Sequence, residues 1–363
     1  MTLNRSTKIA VAMSGGVDSS VAAGLLVKEG YDVYGISMRL WRYCPQKTNA
    51  EDPLERAQAV ANRLGIQLEV IDFQDVFYEQ VVGSYLNDLK QGLTPNPCLV
   101  CNRLIKWGEL LEHVQGEGAD YLASGHYARL EMDTEGQVRL YKGLDTQKDQ
   151  SYVLSVLSQG QLKYAMLPLG MLHKADVKQM AEEMALPVQN SVESQDLCFL
   201  NGESQRDFLR QFAPEMLQPG LIMDQNGKEL GEHEGLAFYT IGQRKGLKIA
   251  APRPLYVLRK DLDLNQLVVG YADELKMQAL LAVKANWITE QTPQAKKQYQ
   301  VKIRYRAQPV AAKIKLVNND RFIVQFEEGL RDITPGQRAV VYDGELCLGS
   351  GEIKSTLSLV DDL

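Results

Sequence analysis

The chain has 363 residues, 45% of them hydrophobic and 24% charged, with a net charge of −6. That length accommodates two or three domains with real cores. The acidic balance excludes indiscriminate nucleic-acid binding, and no apolar run reaches membrane-spanning length.

Five cysteines spread unevenly over so long a chain do not make a disulfide framework, so each is a reduced thiol, a ligand or a catalyst. With no signal-like apolar start, the expected compartment is the cytoplasm. The first predicted element is a short buried strand over residues 9–13. It is followed by the turn Ser14-Gly15-Gly16-Val17-Asp18-Ser19-Ser20 and a helix to Glu29. First-turn N–H groups without helical partners, glycines that admit a ligand to the backbone and three serine hydroxyls make this an anion site. The better-known nucleotide loop carries a lysine that reaches the β- and γ-phosphates. Asp18 stands in the turn instead, where it would repel a bare phosphate but suits a Mg²⁺ that bridges to one. The bland alternative is a Gly-Ser turn that merely caps a helix.

Strand patterns at 33–38 and 68–71 alternate with helical ones at 53–64, 76–90 and 102–113, and "ADYLASGHY" from Ala119 reads as a further strand. This alternation predicts an α/β fold, a doubly wound and mostly parallel sheet whose ligands sit at the carboxyl ends of its strands. The loop after residue 13, Met38 directly after the second strand, and Gly125-His126 after "YLAS" all lie at such ends. Between them, "GLTPNPCLVCNRLIKWGELL" sets Cys98 and Cys101 three apart at a helix start, a position expected to favour thiolate. No second Cys-x-x-Cys is present to complete a structural zinc site. Cys198 lies in "SVESQDLCFL", Cys347 reads as buried packing, and Cys44 is uncommitted.

After about Leu200 the runs shorten. Hairpin signals occur at Asn226-Gly227 and around Gly242, and from about Glu274 five or six short strands read as a small β-barrel. The expected boundaries are 1–200 for a catalytic domain, 201–273 for a linker domain and 274–363 for the barrel. Lys296, Lys297, Lys302, Arg304, Arg306, Lys313 and Lys315 occur with no acidic residue among them. Strand alternation would put Lys302, Arg304 and Arg306 on one face and Lys313 with Lys315 on another. The choice is between a solvated face and an RNA contact.

The motifs "AMSGGVDSSVAA", "GISMRLW", "TPNPCLVCN", "SGHYARL", "KDQSYVL", "SQDLCF", "YTIGQRKGL" and "IRYR" resemble, in this order, those of the bacterial tRNA-specific 2-thiouridylases. These belong to the ATP-pyrophosphatase (PP-loop, adenine nucleotide alpha-hydrolase-like) superfamily. The resemblance covers nearly the whole chain and implies ATP-dependent 2-thiolation of wobble uridine 34, in glutamate, glutamine and lysine tRNAs, with a sulfur donor or relay protein as partner. It implies that Ala12, Met13, Ser14, Gly15, Gly16, Val17, Asp18, Ser19, Met38 and Gly125 bind ATP with Mg²⁺. It further implies that Asn96, Pro97 and Cys98 face the target base, and that Cys101 is the nucleophile and Cys198 the persulfide carrier. His126, Lys148, Asp149, Gln150, Arg304, Tyr305 and Gln337 match positions that touch tRNA, and Lys302 and Arg306 join them from the basic face. The well-known form of the family has Asp where this chain has Cys98. That departure opens a second sulfur route, a 4Fe–4S cluster on Cys98, Cys101 and Cys198 with one iron open for a hydrosulfide. Two other readings stand beside the resemblance: another adenylating enzyme of the amide synthetase type, for which no glutaminase is attached, and an RNA- or nucleotide-binding module that has lost its chemistry.

Overall fold

The computed structural model describes residues 4–41, 52–188, 197–200, 202–289 and 291–357, and Cys44 lies outside the described residues. The first part is built on β1 (Lys8–Ala12), α1 (Val17–Glu29), β2 (Asp32–Arg39), α2 (Pro53–Leu64) and β3 (Leu68–Asp72). Next come a helical stretch α3 at 74–90 and another, α4, at 97–116, then β4 (Tyr121–Ala123). A hairpin of β5 (Ala128–Met132) and β6 (Val138–Lys142) follows, then the short β7 (Ala165–Met166) and helix α5 (Lys174–Glu183). The sheet order is β3-β2-β1-β4-β7 with every pairing parallel. β1 is fully apolar from Ile9 to Val11 and wholly buried there, as a central strand covered on both faces must be. Chain order reverses between β1 and β4, so their carboxyl ends bound the crevice where a doubly wound sheet binds ligands.

α4 departs from ordinary winding, as α3 does more briefly at Tyr78–Val82. Its Cys101–Glu109 stretch is a π-helix, in which Leu110 N–H bonds Ile105 O five residues back. The helical structure also begins at Pro97, five residues earlier than the apolar period suggests.

The middle part is a four-stranded sheet in the order β10-β11-β8-β9, from β8 (Gly220–Met223), β9 (Glu229–His233), β10 (Tyr256–Asp261) and β11 (Gln266–Gly270). It has its own core around Ile222, Val257, Leu267 and Val269. The last part comprises β12 (Met277–Trp287), β13 (Gln298–Lys302), β14 (Val310–Asn318), β15 (Arg321–Leu330), β16 (Arg338–Asp343) and β17 (Leu346–Leu357). They run β12-β15-β14-β13-β16-β17 and close through β12 to β17, forming the barrel the short runs foretold. The β5–β6 hairpin of the first part adds to this barrel, with Leu140 opposite Cys347 and Tyr141 opposite Leu346. One core cluster accordingly mixes Trp107, Leu110, Leu140 and Tyr152 with Ile288, Val340, Tyr342 and Cys347, which is fully buried.

Candidate active site

At the end of β1, Met13 is held by Ile36 O on its N–H and by Ser37 Oγ on its carbonyl, both at 2.8 Å. The turn then opens into α1 with Gly16 as an extended N-cap that has no side-chain partner. Ser19 Oγ accepts from Ser14 N–H at 3.2 Å and Ser20 Oγ donates to Gly16 O at 2.8 Å, so the hydroxyls are gathered inside the turn. Gly125, following β4, approaches from the other wall: a Cβ there would lie 2.7 Å from Asp18 C and Ser19 N. Only glycine permits this approach. Met38 is the penultimate residue of β2 rather than the residue after it, still at the strand's carboxyl end.

The positive charge absent from the loop comes from distant helices. Lys174 Nζ, at the start of α5, donates to Asp18 Oδ1 at 2.6 Å, and Tyr127 OH donates to the same oxygen at 2.7 Å. Arg56 of α2 donates to Gly15 O at 3.2 Å. Lys174 escaped the sequence reading because nothing local in "LHKADV" marks it, and its partner lies 156 positions away. One carboxylate beside substrate phosphates is the usual protein share of a Mg²⁺ site. Asp18, one-third exposed and with Oδ1 taken, fits that role through its other oxygen.

The three thiols lie near enough to act on one another electrostatically. Cys98 and Cys198 are exposed and Cys101 is half-buried. The helix start does not ionise them: although two of the residues reach the surface, the protein packed around the sulfurs desolvates them and pushes the Cys98 thiol up, Cys101 to about 11 and Cys198 to about 12, against the opposing charge of Lys106. The expectation of a favoured thiolate fails because desolvation outweighs a first α-turn only four residues long. Cys98 and Cys101 each push Cys198 further up, so the three share one environment. Among the described residues, however, no three His, Cys, Asp or Glu side chains converge as a metal site.

Lys106 was missed for a physical reason. Its charge acts on all three thiols and on His126. In α-helical winding residue i+5 lies off the face of residue i, but the π-wound stretch bonds i to i+5 and brings Lys106 over Cys101. His126 is buried, its Nδ1 2.7 Å from Ser124 Oγ, and burial followed by the Lys106 charge holds it neutral, well below the usual histidine range.

The expected RNA contacts are mostly turned inward. Asp149 is buried and accepts from Gly143 N–H, Ser151 N–H and Ser151 Oγ; Gln150 Oε1 accepts from Tyr127 N–H; Lys148 is half-buried. The face of Lys302, Arg304 and Arg306 is corrected: β13 stops at Lys302 and the chain turns, so the strand period does not reach Arg304. Arg304 donates to Ile241 O at 3.1 Å and to Thr334 Oγ1, while Tyr305 packs against Tyr152 and Lys302 lies over both rings. Only Arg306 of the three is exposed. On β14 the alternation holds, with Lys313 and Lys315 exposed and Ala312 and Ile314 buried. Asn96 is half-buried and Pro97 buried, and Gln337 donates its amide to Thr94 O, just before them.

Residues 7–202 match the family described as the tRNA methyl transferase HUP domain, 206–271 the tRNA methyl transferase PRC-barrel domain, and 277–353 the aminomethyltransferase beta-barrel domain. The chain is similar to the tRNA-specific 2-thiouridylase MnmA of Natranaerobius thermophilus, 40% identical over 96% of this chain and 97% of that one. It is likewise similar to the proteins of the same name from Geotalea uraniireducens, 42% identical over 98% and 97%, and Magnetococcus marinus, 42% identical over 95% and 98%. Among solved structures, the U34-tRNA thiolase NcsA of Methanococcus maripaludis is similar at 22% identity and a TM-score of 0.36, over 58% of this chain and 68% of that one.

Proposed function

The chain belongs to the tRNA-specific 2-thiouridylase family and is an ATP-dependent tRNA sulfurtransferase, and from that premise we propose how its residues divide the reaction. The target is the wobble uridine 34 of glutamate, glutamine and lysine tRNAs, in the cytoplasm. Residues 1–200 carry the chemistry, 201–273 link, and 274–363 help hold the tRNA. The observation that carries this reading is the junction at Ser124-Gly125-His126. Gly125 packs on the phosphate turn, and His126 shares the Lys106 charge with the three thiols, so nucleotide and sulfur sites adjoin.

The uracil C2 oxygen is a poor leaving group. It attacks the α-phosphorus of ATP, pyrophosphate departs, and the O-adenylated base then has AMP to release. The turn from Ser14 to Ser20 receives the departing pyrophosphate with its N–H groups and hydroxyls, and Lys174 and Arg56 add the charge that the turn lacks. Met38 and Gly125 bound the nucleotide pocket. Asp18 would be the residue to hold a Mg²⁺ here, and the ion would supply further neutralisation of that charge.

Sulfur arrives as a persulfide on Cys198, loaded by a donor or relay protein. Its terminal sulfur attacks C2 and AMP leaves. The Cys101 thiolate then attacks the inner sulfur of Cys198, that S–S bond breaks toward the base, and 2-thiouridine departs, leaving a Cys101 to Cys198 disulfide that an external dithiol reduces. A persulfide is more acidic than its parent thiol, so elevated thiol pKa values do not block the first attack. Asn96, Pro97 and Cys98 face the base, and Cys98 takes the place of the family's aspartate. No step is assigned to a cluster.

The test is incubation with ATP, a uridine-34 tRNA transcript and a small-molecule persulfide. Expected are equal amounts of AMP and 2-thiouridine. AMP without thiouridine would match an amide synthetase, and the absence of AMP a module without chemistry.

A further inference from the structure

The barrel grips the segment that leads to the thiols. Between β15 and β16 the chain runs past Leu93–Pro95, where Thr94 N–H donates to Pro335 O at 2.9 Å. Gln337 Nε2 donates to Thr94 O at 2.8 Å and reaches Pro95 O at 3.4 Å, so the amide donor group is directed into the protein, and the residue is only 8% exposed. At Gly336, with φ of +90°, a Cβ would stand 2.9 Å from Leu93 Cβ and from Thr94 N and O. The two backbones meet here because no side chain intervenes. Thr334, fully buried, takes the Arg304 guanidinium, whose other partner is Ile241 O, in the middle part between β9 and β10. All three parts of the chain therefore meet at this one barrel loop.

What the loop holds is stiff. Pro95 and Pro97 each fix φ, leaving little freedom between Thr94 and Cys98 to absorb a shift. A displacement at Thr94–Pro95 passes on to Asn96, Cys98 and the first turn of α4, which carries Cys101. From this we infer that Gln337 is a positioning residue for sulfur transfer. Its amide sets the placement of the Asn96-Pro97-Cys98 segment against the base, from the barrel side, in addition to any contact with tRNA. The inference rests on the reading of that segment as base-facing and of Cys101 as reactive.

The experiment compares the full-length parent with Gln337→Met, which keeps the size and removes the donor, and with Gly336→Ala, which pushes the same segment without touching any polar group a tRNA could use. Thiouridine formation is measured at saturating uridine-34 transcript with a small-molecule persulfide, and transcript Kd without ATP. Misplacement of reacting groups by a fraction of an ångström predicts a fall in kcat of about tenfold or more in both variants. For Gly336→Ala the Kd should stay within about twofold, the pattern of an interaction felt only during reaction, whereas Gln337→Met is judged by kcat because that residue also matches a tRNA-contact position. Circular dichroism and Tm confirm that each variant folds, and either folded variant decides the matter. A raised Kd with unchanged kcat, or no change in either, overturns the inference in favour of a plain tRNA contact or an idle bond. A parent that forms no thiouridine overturns the thiolation reading and this inference with it.

Discussion

In the proposed reaction, Lys174 answers how a turn without a local ammonium would manage the charge of pyrophosphate. Its Nζ meets Asp18 at 2.6 Å, with the two side chains 11% and 34% exposed. Partial exposure makes breaking this pair less damaging than the roughly 3–5 kcal/mol of a fully buried one, so single variants should fold. Lys174→Met and Asp18→Asn are each expected to lower AMP formation by about a hundredfold or more, the scale of losing one electrostatic stabiliser of developing charge. Transcript binding should be unchanged, and equal ATP turnover in variant and parent would sink the assignment. The thiols divide as sharply. Cys101→Ser and Cys198→Ser are expected to abolish thiouridine formation. Cys347→Ser should retain it but lose about 1–3 kcal/mol of stability, because a hydroxyl is then buried where a thiol packed at 0% exposure. Thiouridine from either of the first two variants would remove that thiol from the mechanism.

At the scale of elements, the sequence was legible wherever a side-chain period ran undisturbed. The apolar run before Ser14 and the alternation of Lys313 and Lys315 with Ala312 and Ile314 are such cases. It was opaque where hydrogen bonding changed register without changing composition. The π-wound stretch Cys101–Glu109 and the end of β13 at Lys302 both look regular in "CNRLIKWGE" and "VKIRYR". The second case alters what Arg304 is expected to do. Arg304→Ala should destabilise the protein by about 1–3 kcal/mol, leaving Thr334 and Ile241 O without their donor, and leave the salt dependence of tRNA binding intact. Lys313→Ala with Lys315→Ala should leave Tm intact and flatten the log–log salt slope by roughly 0.7–0.9 for each tRNA phosphate that is no longer neutralised. The opposite pattern in either pair would return Arg304 to the RNA face or make β14 merely solvated.

β10 carries a second element-scale consequence. The Lys260 amine has no hydrogen-bond partner among the described residues, and burial pushes it down from the ordinary 10.5 to about 8. Below about 8 both folded and unfolded chains hold the proton and the folded one bears the whole desolvation penalty. Between about 8 and 10.5 the folded chain releases it first, so stability rises with pH. Lys260→Met should therefore be more stable than the parent at pH 7, by about 1–3 kcal/mol. That advantage should shrink across pH 8 to 10.5 in paired denaturant titrations. A constant difference would mean the amine is solvated.

For the whole molecule, the decisive feature is one that no local pattern announced: the β5–β6 hairpin of the first part completes an edge of the barrel. Its registration depends on residues roughly 200 positions apart, which period and turn chemistry cannot relate. Buried polar bonds reinforce the join. Tyr152 OH donates to Arg338 O at 3.1 Å and accepts from Arg338 N–H at 3.3 Å. Asn286 donates to Ser155 O at 2.8 Å and Leu157 O at 3.0 Å, and Ser350 donates to Ser155 O at 3.1 Å. Such groups have no water to fall back on, so separating the two parts would strand several of them at about 1–3 kcal/mol each. The middle sheet, by contrast, keeps a core of its own. The first part and the barrel should therefore unfold as one unit, which would fix the barrel, and the tRNA contact proposed for it, in relation to the thiols. Single-tryptophan variants test this, one retaining Trp107 in the mixed core and the other Trp287 beside Phe322 in the barrel. Their denaturation midpoints should coincide, and Tyr152→Phe should lower both together by about 1–3 kcal/mol. Midpoints that separate, or a Tyr152→Phe effect seen by Trp107 alone, would show two independent domains and leave the geometry between tRNA and thiols to be set by the tRNA itself.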